Sequence, residues 1–144
     1  MEFIYQEESE IPGSELLALY ESVGWTAYTS DHERLVQAIK NSSYVLTARV
    51  NSQLIGLART LSDDVSIMYL QDVLVSPLYQ RKGVGRALLE RCLSRFEHVR
   101  QKVLLTDNRP EQKAFYHSLG FHNVGELENI ELNAFVRYEG IELS

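Results

Sequence analysis

The residues from Gln80 to Arg86, Gln-Arg-Lys-Gly-Val-Gly-Arg, have the types and spacing that bind a phosphate group. They follow an apolar run ending at Val75, Ser76 and Pro77, and they open a stretch with helical apolar spacing at Val84, Leu88 and Cys92. The first N–H groups of such a helix have no partner within it, and the aligned peptide dipoles add about half a positive charge at that end. Gly83 and Gly85 carry no side chain that would hold an anion away from those N–H groups. Arg81, Lys82 and Arg86 add full charges around them. Capture of a phosphate or pyrophosphate is the chemistry this stretch suits.

The charge distribution points the same way. Between Arg81 and Lys102 seven Lys or Arg stand against Glu90 and Glu97, a local +5 in a chain of net charge −6, which leaves −11 elsewhere. A basic island in an acidic protein implies one specific anionic ligand rather than general affinity for polyanions, so a nucleic-acid partner is not expected. A Walker loop would need Lys and then Ser or Thr directly after Gly85, where Arg86 and Ala87 stand. A dinucleotide fingerprint is a closer rival, with Asp107 about 22 residues beyond Gly85. Its third glycine position, however, is Leu88, and its tight turn is replaced by a longer loop.

Pro77 followed by Gln80-Arg81-Lys82-Gly83-Val84-Gly85 resembles the Gln/Arg-x-x-Gly-x-Gly/Ala signature of the GNAT superfamily of acetyl-CoA-dependent N-acetyltransferases. Ala114-Phe115-Tyr116-His117-Ser118-Leu119-Gly120-Phe121 is similar to that family's second signature. The resemblance implies acetyl-CoA as cosubstrate, with its pyrophosphate on the backbone amides of Gln80 to Arg86. It also implies that the pantetheine arm lies along Val73, Leu74 and Val75, as an added strand would, and that Asn108 makes a further coenzyme A contact. Asn108 lies eight residues before Tyr116 where the family usually has seven. Tyr116 matches the position of the general acid that protonates the leaving thiolate. The segment with Trp25 and Tyr28 matches the border of the acceptor pocket. The acceptor is then a primary amine, and a homodimer is left open.

An amine of ordinary pKa near ~10.4 must lose a proton before it attacks. Asp72 is the candidate base, being an acid inside an apolar strand, where burial makes proton exchange at a carboxylate practicable near neutrality. The parity of Leu70, Asp72 and Leu74 puts it on a mainly apolar face unless a bulge intervenes. The other reading of Asp72 is a structural carboxylate satisfied by backbone donors. Cys92, at helical spacing from Val84 and Leu88, reads as core, which argues against a covalent acyl-enzyme. His32, His98 and His122 show no metal-ligand spacing, so no metal is expected. A non-catalytic coenzyme A-binding module is the alternative reading.

These groups need a scaffold, and 144 residues suffice for one domain with its own core. A single cysteine suits a reducing cytoplasm, and no apolar run approaches the ~18 residues that span a membrane. The expected order is β-α-α-β-β-β-α-β-α-β-β, a mixed, mostly antiparallel α/β sheet of about seven strands flanked by four helices. Its strands fall at Phe3-Ile4-Tyr5, Tyr44 to Val50, Leu54 to Leu61, Ile67 to Val75, Val103 to Thr106, and near Phe121 to Glu126 and Ile130 to Arg137. Its helices begin at Ser14, at Ser30 or Asp31, at Gly83 and at Pro110, with Gly24-Trp25-Thr26-Ala27-Tyr28-Thr29 as an aromatic loop.

Overall fold

A computed structural model describes residues 1–143. Among them one sheet runs in sequential order through β1 (Ile4–Glu7), β2 (Tyr44–Val50), β3 (Gln53–Ser62), β4 (Ile67–Val75) and β5 (Gln101–Leu104). The first four strands pair antiparallel, and β4 pairs parallel with β5. Five α-helices accompany them: α1 (Gly13–Ser22), α2 (Thr26–Thr29), α3 (His32–Lys40), α4 (Val84–Arg95) and α5 (Pro110–Ser118). The sheet and α1 to α4 belong to one compact unit, Met1–Leu105, and α5 to a second that starts at Thr106.

The strands sit where residue type places them. The β2–β3 hairpin turns at Asn51 and Ser52, both at positive φ (49° and 70°), the backbone a two-residue turn requires. The β3–β4 turn is tied by Asp63, whose Oδ1 accepts the N–H groups of Val65, Ser66 and Ile67 at 2.7–3.0 Å. The Asp31 side chain caps α3 by accepting the Arg34 N–H at 3.2 Å.

Each sheet face is closed by its own apolar cluster. Leu16, Leu19 and Tyr20 of α1 and Leu35 and Ile39 of α3 pack on Val45, Leu54, Leu57 and Leu74. On the opposite face Val84, Leu88 and Cys92 of α4 pack on Leu46, Ala48, Ile55 and Ala58. Each Leu, Ile or Val among them contributes about 1.5–3 kcal/mol by leaving water. Helix α4 lies directly on β3 at Gly56, where an added Cβ would meet Val84 Cγ1 at 3.2 Å and Leu88 Cδ1 at 3.3 Å. That close approach fixes the start of α4 beside the end of β4.

Four expectations are corrected. The two final strands are absent among the described residues. Asn123 Oδ1 accepts the Gly125 N–H, and Val124–Glu126 turns as a short 3-10 helix. Residues 130–137 are rich in apolar side chains but have no ladder partner, without which an apolar run does not make a strand. The aromatic loop holds the one-turn helix α2, which buries no residue of its own. Ser14 lies inside α1 rather than capping it. The fifth strand ends at Leu104, two residues earlier than expected.

Candidate active site

Strand β4 ends at Val75, and Ser76 donates its N–H to Ile55 O at 2.8 Å, holding the chain on the sheet as it leaves. A 3-10 turn over Pro77–Tyr79 follows. Gln80 folds back so that its Nε2 donates to Val75 O at 3.0 Å, closing the loop on the end of the strand. Arg81 and Gly83 both take positive φ, 63° and 83°. Left-handed residues in a loop of this kind recur in anion-binding nests. No side chain caps the first turn of α4. An added Cβ at Gly85 would meet only Val75 Cγ2, at 3.9 Å, so space lies open over that turn. Arg81, Lys82 and Arg86 are exposed around it, and Arg86 lies 3.6 Å from Glu90.

The preceding strand is half-partnered. The β4–β5 ladder covers only Ile67 to Leu70, whereas the β3 ladder continues through Asp72, Val73, Leu74 and Val75. From Gln71 onward the side of β4 that faced β5 therefore has no strand beside it among the described residues, an edge that an amide-bearing chain can join. At the same point the β3 pairing slips. Arg59 opposes Asp72 and Thr60 opposes Leu70, leaving Gln71 as the extra residue of a bulge.

The bulge directs Asp72 into the α1 side of the sheet, where the sequence placed no partner for it. The carboxylate, 3% exposed, accepts from Tyr20 Oη (2.9 Å) and Arg59 Nε (2.8 Å) on Oδ2, and from Tyr28 Oη (2.9 Å) on Oδ1. Its satisfying donors are side chains, not the backbone groups expected. Arg59 also donates Nη2 to Tyr28 Oη (3.2 Å) and Nη1 to Ser42 Oγ (3.3 Å), and Gln71 donates Nε2 to Tyr28 Oη (3.1 Å). Burial and the adjacent Asp72 charge raise the Tyr20 and Tyr28 phenols above their ordinary value. Burial works to lower the Arg59 pKa, and Asp72 outweighs it in the other direction. The Tyr28 ring stands 5.1 Å from Tyr20 and 6.2 Å from Trp25, centre to centre, so both aromatics of the expected wall sit together, partly buried on the α1–α3 cluster.

Arg59, Tyr20, Gln71 and Ser42 join this cluster without a sequence motif to mark them. A signal for Arg59 existed: one arginine in an apolar strand facing one aspartate in the next.

Tyr116 and Asn108 belong to the second unit. Tyr116 lies on α5 with its ring against Phe115 (5.1 Å) and Phe121 (6.0 Å). Burial raises its phenol, and the Asp107 charge adds to the shift. Asn108 is exposed in the segment before α5. His117 is exposed, 3.6 Å from Glu126. In the first unit, burial pushes the Cys92 thiol up to about 12, which makes it a poor nucleophile.

The family model for the acetyltransferase (GNAT) domain matches residues 16–139, most of the chain and both signature stretches. The chain belongs to the GNAT acetyltransferase family. The uncharacterized N-acetyltransferase ycf52 of Pyropia yezoensis is 29% identical over 111 residues, covering 74% of this chain and 63% of its own. The histone acetyltransferase TAP1 of Glycine max is 29% identical over 133 residues, covering 83% of this chain and 56% of its own. The chain thus spans less than two thirds of the length of either relative. A GNAT-family acetyltransferase structure from Streptococcus pneumoniae TIGR4 superposes with a TM-score of 0.77 at 27% identity, covering 95% of this chain and 100% of its own.

GNAT acetyltransferases use acetyl-CoA as cosubstrate, and two features of this chain fit that molecule. The uncapped glycine-bearing turn of α4 suits its diphosphate, and the unpartnered edge of β4 suits its amide-bearing arm. Among the described residues no group of three or more His, Cys, Asp and Glu is placed to hold a metal. Nor is any helix long and apolar enough to cross a membrane.

Proposed function

We propose that this GNAT domain is an N-acetyltransferase that moves an acetyl group from acetyl-CoA to a primary amine by direct attack in a ternary complex. The observation that carries the reading is the coincidence, within fifteen residues, of the β4 edge opening at Gln71 and the uncapped first turn of α4 at Gly83 to Gly85. The backbone N–H groups of Gly83, Val84, Gly85 and Arg86 bind the diphosphate, with Arg81 and Lys82 beside them. Gln80 shapes the loop through its bond to Val75 O, and Val73, Leu74 and Val75 offer backbone groups to the arm. Asn108 is assigned a further contact.

Acetyl-CoA supplies an activated acyl group. Trp25 and Tyr28 orient the amine against it. The amine takes the place of the exposed Gln71 Nε2 as a donor to the Tyr28 oxygen, and as its proton passes there the Tyr28 hydroxyl gives its own proton to Asp72 Oδ1, to which it donates at 2.9 Å. Tyr116 holds, on Oη, the proton that the departing sulfur takes, and its raised pKa keeps that proton in place through neutral pH. Burial of Cys92 supports direct transfer rather than an acyl-cysteine route.

The test has two stages. Acetyl-CoA at 100 times its dissociation constant should stabilise the protein by about 2.7 kcal/mol, and NAD should not. Thiol release is then followed with spermidine, kanamycin and a lysine-containing peptide. Stabilisation by NAD instead overturns the reading, and acetyl-CoA binding with no thiol release from a broad amine panel favours the non-catalytic module.

A further inference from the structure

Helix α2 carries Tyr28 of the acceptor wall, with Trp25 as its N-cap residue, yet it is four residues long and buries no residue of its own. Its first residue is preceded by Trp25 and its last turn ends at Ser30, with short backbone bonds such as Ser30 N–H to Thr26 O as its internal support. A single helical turn has little stability of its own. Something outside it must set where the Tyr28 and Trp25 rings stand.

Tyr20 of α1 supplies ring contacts, at 5.1 Å from Tyr28 and 5.8 Å from Trp25, and one polar side chain ties that turn to three further elements. Arg59 projects from β3 with its side chain 8% exposed. It contacts β4 through Asp72, α2 through the Tyr28 hydroxyl and the end of α3 through Ser42, whose own hydroxyl donates to Ala38 O at 2.7 Å. Its guanidinium carbon also stands 5.8 Å from the Tyr28 ring centre. The planar fork spreads three donors in fixed directions, which a lysine cannot do. Burying the Arg59–Asp72 pair costs desolvation that an apolar pair of similar volume would avoid. Filling the core is thus not what this arrangement does best.

We propose that Arg59 is a positioning residue for the acceptor side of the site: it fixes α2 through Tyr28, and so sets the placement of Trp25 and Tyr28 without touching the acceptor itself. The proposal rests on the transferase reading for its functional meaning, and its structural content stands on its own.

Trp25 is the single tryptophan of the chain, so its emission reports α2 directly. The experiment compares the full-length wild type with Arg59→Lys and Arg59→Met. It measures Trp25 emission and acrylamide quenching, acetyl-CoA affinity by titration, and KM and kcat with whichever of spermidine, kanamycin or a lysine-containing peptide is turned over. In a variant whose circular dichroism matches wild type, Trp25 becomes more accessible while acetyl-CoA affinity holds. The amine KM rises about tenfold, the order expected for one charge-assisted hydrogen bond, and kcat falls less. Arg59→Lys retains the charge and folds more readily, so it decides the question if Arg59→Met does not fold. Unchanged Trp25 quenching in a folded variant overturns the proposal. So does a parallel loss of acetyl-CoA affinity, which marks general loosening. A wild type that fails to bind acetyl-CoA counts against the transferase reading instead, and Trp25 then still decides whether Arg59 places α2.

Discussion

Arg59 Nε and Asp72 Oδ2 face each other at 2.8 Å across the step where β3 and β4 slip register, with Gln71 as the extra residue beside them. Both side chains are nearly excluded from water, at 8% and 3% exposure. Removing one partner leaves the other charge buried and unmatched, at a cost of about 3–5 kcal/mol. Arg59→Leu and Asp72→Leu should each lower the unfolding free energy by that much, read from urea melts at unchanged slope. The double variant should recover most of the loss and still lack acceptor-side function. A double variant no more stable than the singles would contradict this description of the pair.

Tyr116→Phe keeps the ring between Phe115 and Phe121 and removes only the hydroxyl. Loss of a general acid typically lowers turnover by about 10²–10⁴. Thiol-release kcat should fall into that range while acetyl-CoA affinity stays within about twofold. Because burial raises this phenol, its ionisation should not limit the rate below about pH 10, the ordinary tyrosine value.

Gly85→Leu places a side chain where the structure has open space, with Val75 as nearest neighbour to the new Cβ. Leucine favours helix over glycine by several tenths of a kcal/mol, so the fold should be unharmed or slightly stabilised. Acetyl-CoA affinity should nevertheless drop at least about tenfold, since one or more charge-assisted bonds to the diphosphate are displaced. Calorimetric titration and a melting curve on the same sample separate the two effects.

Much of this architecture is legible from residue types, and the exceptions share a cause. Tyr44–Val50 and Ile67–Val75 are strands as expected, because β-branched and aromatic runs bounded by turn residues leave few alternatives. Helix α4 follows from Gly83 and the Val84, Leu88, Cys92 spacing. Residues 130–137 are also rich in apolar residues and make no ladder, since a strand needs a partner that composition cannot supply. Arg59 escaped for the same reason. Its partner is set by which residue of β4 stands opposite it, and the Gln71 bulge decides that. Thr26-Ala27-Tyr28-Thr29 is too short for periodicity to distinguish a helical turn from a loop.

At the other end of β2, Arg49 bridges Glu8 (2.8 Å) and Glu15 (2.6 Å), joining the segment after β1 and helix α1 to the sheet. Burial pushes the Glu8 carboxyl up, but Arg49 and the Thr47 hydroxyl outweigh it and bring it from 4.5 to about 2. A carboxylate depressed in the fold stabilises above its unfolded pKa and loses that contribution as pH falls through the folded one. Between pH 4.5 and 2 the wild type should therefore lose on the order of 2 kcal/mol from this group. Glu8→Gln should start less stable at neutral pH and show a flatter acid limb, measured as urea midpoint against pH.

Acetyl transfer by this chain requires a diphosphate held against the first amides of α4. Amide NMR of the labelled protein titrated with coenzyme A reads those groups one by one. The peaks of Gly83, Val84, Gly85 and Arg86 should move together with those of Val73 and Val75, saturating at a single dissociation constant. Saturable shifts confined to other parts of the chain, or none, would contradict it.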